Sequence, residues 1–182
     1  MMIKTGESGQ ALIELSIVLV LLCIFVFGII DFGRAVYDFE VMKNLAGEGS
    51  SMASRGAAPA TTATAVVAYA GADINLSTNG CVIVTVVAEN SAGTAQVVTA
   101  QSWAGACSAA MTSTIGCLSG QGSCKSSTAT LPATAANAIQ QGVTGTTLYV
   151  TEVFYAYTTI TPLPRFLGSA ILPSQLYSVA YY

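Results

Sequence analysis

The sequence predicts an α+β protein, with one long N-terminal helix carrying a small, mainly antiparallel β-sheet head. Three observations lead there. Residues 11–30 form an apolar run with a single charge, Glu14, and no proline interrupts residues 11–58. Beyond residue 80, segments rich in β-branched and aromatic residues alternate with Gly/Ser/Thr/Asn clusters, the pattern of strands and turns. Four of the five cysteines, Cys81, Cys107, Cys117 and Cys124, fall in this polar remainder.

The apolar run comes first. A helix of about 20 residues rises roughly 30 Å, enough to cross the hydrocarbon core of a bilayer. A carboxylate at the bilayer centre costs on the order of 2.5–3.5 kcal/mol on insertion scales, so Glu14 demands a functional reason. Past Arg34 the helical period persists but turns amphipathic. Ala35, Phe39, Met42, Ala46, Gly49 and Ala53 step by four and three, while Asp38, Glu40, Lys43, Glu48 and Arg55 fall mostly elsewhere. One helix is therefore expected from near Gln10 to near Ser54. Its stripe would pack on the head's own sheet, an arrangement that leaves room for contact with neighbouring subunits' helices.

Residues 56–65, rich in Gly, Ala, Pro and Thr, read as the helix stop and a loop, and 66–70 are too short to assign. Residues 73–77, the turn Thr78-Asn79-Gly80 and residues 81–88 read as strand, turn, strand, and 95–101 as a third strand. Residues 108–141 read as a disulfide-stapled loop region with a short helix at 133–141. The tyrosine- and valine-rich stretch 146–160 is the clearest strand, and 176–182 closes the sheet. The domain plan is thus a transmembrane helix at 10–30, an amphipathic continuation at 31–56 and a β-rich head at 57–182.

Composition narrows the function. The 182 residues allow one modest domain plus the anchor. Charged residues are 8 % of the chain, against about 25 % in ordinary globular domains. A net charge of −3 without a basic cluster argues against nucleic acid. There is no histidine, which removes the commonest general base and metal ligand. No cofactor, metal or small-molecule substrate is expected.

Cys23 lies inside the apolar run, where a thiol behaves as a small hydrophobe. The four others suggest two disulfides and hence an oxidising compartment; the alternatives are four free thiols in a cytosolic head, or a zinc site whose ligand spacing is poor. Of the three pairings, Cys81–Cys107 with Cys117–Cys124 is favoured, because the Gly/Ser-rich stretch 118–123 closes a loop cheaply.

No small-residue cleavage site follows the apolar run, and Cys23 has apolar residues on both sides, which disfavours a secretory signal or a lipoprotein anchor. The helix is expected to stay attached. Charge flanking the span votes for a cytoplasmic N-terminus, and the paired cysteines vote the same way. The head is expected outside a single-pass inner-membrane anchor.

Gly9-Gln10-Ala11-Leu12-Ile13-Glu14-Leu15 resembles the Gly-x-x-x-x-Glu processing signature of type IV pilin-like precursors. That resemblance implies a leader of residues 1–9, cleavage after Gly9 by a prepilin peptidase, a mature chain beginning at Gln10, and Glu14 as an assembly residue. The acid would neutralise the new amino terminus of an adjacent subunit. Phe27-Gly28-Ile29-Ile30-Asp31-Phe32-Gly33-Arg34-Ala35-Val36-Tyr37, then Ala46-Gly47-Glu48-Gly49 and Ala53-Ser54-Arg55-Gly56, resemble the N-terminal segment of TadE-like proteins, minor pseudopilins of the tight-adherence (Flp-type) pilus system. A Tyr/Val strand at 150–157, the Thr161-Pro162-Leu163-Pro164 break and a closing strand fit that pattern more loosely. The partners implied are the prepilin peptidase, other pilins and pseudopilins, the pilus assembly platform and inner-membrane lipid. Two positions depart from it: residues 16–30 lack the proline many relatives carry, and Leu15 stands where Flp-type pilins tend to have tyrosine.

Other function classes are weaker. A membrane-anchored binding or adhesion module would use the tyrosines of 149–182 as an interface, yet tyrosine at strand spacing more often packs a sheet. An enzyme would need a constellation the head lacks. Its acids are Asp73, Glu89 and Glu152, the last expected to face solvent, and its cations are Lys125 and Arg165.

Overall fold

The computed structural model of the chain describes residues 7–71, 74–89, 96–116, 129, 147–162 and 173–182. The proline-free stretch forms α1, Glu7–Ser54, 48 residues long. Its end is set by Gly56, whose φ of 94° is open to a residue without Cβ. The Gly56 amide donates to the Ala53 carbonyl at 3.0 Å and the Ala57 amide to Met52 at 3.3 Å, the paired bonds of a Schellman stop. The described residues fall into two compact units, one drawn from 1–37 and 158–173, the other from 38–157 and 174–182. Each is described separately below.

In the larger unit, residues expected as loop are helical. Pro59–Tyr69 form α2, with Pro59 in the first turn, where its missing N–H costs nothing. Thr62, Ala63 and Val66 are buried, and α2 packs on the sheet. A segment of small residues carries little helical signal of its own, so tertiary burial decides its state. The strand expected at 73–77 is also corrected. Asn75 caps a helical turn, α3 (Leu76–Asn79), by accepting from the Thr78 amide at 3.2 Å, and Leu76 fills the core beneath it.

Four strands follow as expected: β1 Gly80–Glu89, β2 Gln96–Gly105, β3 Thr147–Ala156 and β4 Gln175–Tyr181. They form one antiparallel sheet in the order β2-β1-β3-β4. One face meets the helices. Gly49 of α1 lies so close to Thr151 that an added Cβ would come within 2.8 Å of it, and Ser50 Oγ reaches the Ala46 carbonyl and, across to β4, the Ala180 carbonyl. Met42, Ala46 and Ala53 are fully buried on this side of α1. Of the expected stripe, Ala35, Met42, Ala46, Gly49 and Ala53 are buried, and only Phe39 departs, exposed beside a buried Asp38. The helix-facing surface of the sheet is partly polar, with Thr151 and Ser178 buried, so apolar spacing finds the inward side of α1 here but not the acid buried on it, Asp38.

The opposite face holds two apolar clusters. Cys81, Ile83, Met111 and Phe154 form one, and Val87, Val98, Ile115, Ala129, Leu148 and Val150 the other. Residues 107–116, expected as plain loop, lie over this face with Met111, Ser113 and Ile115 engaging it in alternation. Cys81 and Cys107 are bonded, which ties the start of this strap to β1. Cys117, Cys124 and the helix expected at 133–141 lie outside the described residues.

Candidate functional site

The features that bear on function lie in the first unit. Gly9, Gln10 and Glu14 are exposed on the opening turns of α1, and Gln10 Nε2 donates to Glu14 Oε1 at 3.2 Å. Space beside Gly9 is open among the described residues: apart from its chain neighbours and the helix's own nearby backbone, none of their atoms comes within 4 Å of where a Cβ would stand. Ser16 returns its hydroxyl proton to the Ile13 carbonyl at 2.9 Å, so it adds no unsatisfied donor to the apolar run. The first cation downstream on α1 is Arg34, some 30 Å along the axis from Glu14.

Apart from Gln10 and Ser16, the helix around Glu14 offers only apolar side chains. Leu12, Ile13, Leu15, Leu19, Leu22, Phe25 and Ile29 are all more than half exposed. Burial of one such side chain contributes about 1.5–3 kcal/mol, so the full stretch leaves on the order of tens of kcal/mol unrealised in water. A surface of this kind is covered by lipid or by other chains. By length and composition α1 can cross a membrane.

Residues 9–51 match the family model described as TadE-like protein. The N-terminal segment is TadE-like. No curated protein and no solved structure gives a significant match to the chain. The match spans 43 of the 182 residues. It covers both the apolar part of α1 and most of the part that packs on the sheet.

Directly after the apolar run of the TadE-like segment, Asp31 is buried, 1 % exposed. Its Oδ1 accepts from the Ile160 amide at 3.1 Å and the Thr161 amide at 3.3 Å, and its Oδ2 accepts from the Thr161 hydroxyl. Residues 160–161 are thus fastened to α1 through the Asp31 carboxylate. Sequence reading passed over Asp31 as a flanking charge. Its place one residue beyond the run was the available signal.

In the larger unit, the expectation that Glu152 faces solvent is overturned: it is fully buried on the strap-covered face of β3. Oε1 accepts from the Thr114 amide at 2.8 Å, the Thr114 hydroxyl at 2.7 Å and the Tyr177 hydroxyl at 3.0 Å, and Oε2 accepts from the Ser113 hydroxyl. Tyr177 also lies 2.7 Å from Thr114 Oγ1. Burial of a charge is tolerable only with such pairing. An acid flanked by strand residues looks solvent-facing in a sequence, because the donors that satisfy it come from residues far along the chain.

Burial foremost holds the Tyr177 phenol above its ordinary value of 10.0, the hydrogen bond with Thr114 opposing it and the Glu152 carboxylate adding to it, and burial and Glu152 raise Tyr181 as well. The neutral phenol is the form that fits the fold. Its contribution is therefore complete below about pH 10 and is lost as pH rises, because the unfolded chain ionises first. The full-length protein is expected to show a lower denaturation midpoint at about pH 11 than at about pH 9, and Tyr177→Phe to flatten that fall. A denaturant titration at the two pH values, followed by circular dichroism of the sheet, checks it.

Of the residues singled out by sequence, Gly9, Gln10 and Glu14 share the first turns of α1, and Cys81 and Cys107 share a disulfide in the other unit. Cys23 is a free thiol on α1.

Proposed function

We propose that the chain is a minor pseudopilin, a structural component of a tight-adherence pilus rather than an enzyme. In this reading it sits in the inner membrane with its N-terminus in the cytoplasm and its head outside. A prepilin peptidase cleaves after Gly9, and the mature chain, beginning at Gln10, joins other pilins and the assembly platform through the apolar part of α1. Glu14 then faces the amino terminus of a neighbouring subunit, so that two charges compensate each other in an apolar setting.

The observation that carries this reading is the exposed apolar helix with its lone carboxylate five residues beyond Gly9, inside the TadE-like match. The open space beside Gly9 suits a peptidase approach, and the disulfide suits an oxidising compartment. N-terminal sequencing of protein recovered from membranes is expected to begin at Gln10. Replacing Gly9 with valine is expected to leave the leader attached and to stop incorporation into pili. A chain that keeps its leader in wild-type cells, or that is trimmed and assembled with valine at position 9, overturns the proposal and favours a tethered binding module.

A further inference from the structure

Between α2 and β1 the chain reads Asp73-Ile74-Asn75-Leu76-Ser77. Asn75-Leu76-Ser77 is an Asn-x-Ser/Thr acceptor pattern for N-linked sugar, with no proline at its middle position. Asp73, two residues ahead of the asparagine, adds a charge by which a transferase can grip the stretch. Helix capping accounts for Asn75 alone. Asp, Ser or Thr would cap as well, and a cap asks for no hydroxyl at position 77.

The turn divides the two ends of the Asn75 amide. Oδ1 accepts from the Ser77 hydroxyl at 2.6 Å and from the Thr78 amide at 3.2 Å. Both bonds fall on oxygen, so the cap does not depend on Nδ2, the atom that a sugar joins. Asn75, Ser77, Thr78 and Asn79 are exposed, and a sugar at this place meets solvent rather than core. Ile74 and Leu76, on either side, are 0 % and 1 % exposed. The whole acceptor stretch is therefore open to a transferase only before the head closes over these two side chains.

We propose that Asn75 is an N-glycosylation site, modified as the head emerges on the extracytoplasmic side of the membrane. The inference rests on the outward placement of the head proposed above. Nδ2 attacks the anomeric carbon of a sugar chain carried on a lipid diphosphate. A C–N bond forms and the bond from that carbon to the diphosphate oxygen breaks. The lipid diphosphate leaves, and one Nδ2 proton passes to a base of the transferase. The resulting secondary amide keeps Oδ1, and with it the cap on α3. In a chain with only 8 % charged residues, a bulky sugar supplies a solvated cover that charge does not.

The full chain is recovered from membranes of the cells that make it, and peptides containing residue 75 are read by mass spectrometry. The wild type is expected to carry the added mass of a sugar chain on Asn75. Asn75→Asp keeps a capping oxygen but has no amide nitrogen, and is expected to lose that mass. Ser77→Ala keeps the bond from the Thr78 amide but not the hydroxyl, and is expected to lose it too. Ser77→Thr retains the hydroxyl and is expected to stay modified. A bare Asn75 in the wild type, sugar persisting in Ser77→Ala, or sugar lost in Ser77→Thr each overturns the site. Protease added to spheroplasts reads the placement of the head separately. A digested head with a bare Asn75 overturns the glycosylation alone, whereas a sheltered head overturns the functional reading and the site with it. Should a variant not fold, seen as unbonded Cys81 and Cys107, the wild-type peptide decides.

Discussion

Glu14→Leu is expected to yield a chain that inserts in the membrane and is trimmed at Gly9, but does not enter the filament. Removing the acid lowers the cost of membrane insertion, by on the order of 2.5–3.5 kcal/mol at the bilayer centre, so anchoring survives. Processing depends on the glycine side of the junction and is read separately by N-terminal sequencing. What is lost, on the function proposed above, is the countercharge for a neighbouring subunit's amino terminus. Removing one partner of a buried pair typically costs about 3–5 kcal/mol, because the other charge stays buried without compensation. That corresponds to a fall in incorporation of roughly a hundredfold or more. Glu14→Gln retains length and polarity without charge, and belongs close to the leucine variant if the pairing is ionic. The measurement is the ratio of the protein in sheared surface fractions to that in membranes. Equal ratios for wild type and Glu14→Leu would show that the carboxylate has no role in assembly, and would return it to the simpler part of a helix N-terminal charge favoured by the dipole.

How much of this was legible in the sequence depended on where each residue finds its partners. The long helix and strands β1, β3 and β4 were legible because their signals are local: apolar content without proline for α1, β-branched runs bounded by turn residues for the strands. The Cys81–Cys107 bond is the half of the favoured pairing that the described residues hold, whereas the loop-closure argument concerned Cys117 and Cys124, which lie outside them. Residues 59–69 were not legible as helix. Pro59 marks a helix start as readily as a loop, and burial of Thr62, Ala63 and Val66 against the sheet settles the matter. The strap was missed for a related reason. Met111, Ser113 and Ile115 do alternate, but the run is too short to stand out from a Ser/Thr-rich background until Glu152 is placed beneath it.

The same blindness applies to the buried acids. A chain with so few charges leaves Asp31, Asp38 and Glu152 almost wholly out of contact with solvent. Asp31 and Glu152 perform one physical task in two places. Each gathers hydrogen bonds from a segment more than thirty residues distant in sequence and fixes it to a regular element. A carboxylate does this better than an amide side chain because both its oxygens only accept, and charge-assisted bonds are about twice as strong as neutral ones. In a head whose apolar residues are mostly alanine and valine, such bonds fix register where packing volume discriminates poorly.

Asp31→Ala is therefore expected to free residues 160–161 from α1 while the helix itself is kept. The substitution leaves the Ile160 and Thr161 amides and the Thr161 hydroxyl without their acceptor. Alanine is the better helix former, so α1 gains slightly in its own right. Hydrogen bonds to a charged group contribute about 1.5–3 kcal/mol each, which places the local opening equilibrium on the order of ten- to a hundredfold or more above wild type. Amide hydrogen exchange on the detergent-solubilised full chain reads this directly. Exchange at Ile160 and Thr161 should accelerate by that factor, while amides of β3, such as Val153, hold their wild-type rates. Asp31→Asn keeps one acceptor oxygen and should fall between the two. Unchanged exchange at 160 and 161 in the alanine variant would mean that the segment is held by its own chain and that Asp31 is buried there for another reason. Equal acceleration in β3 would mean that the acid supports the head as a whole.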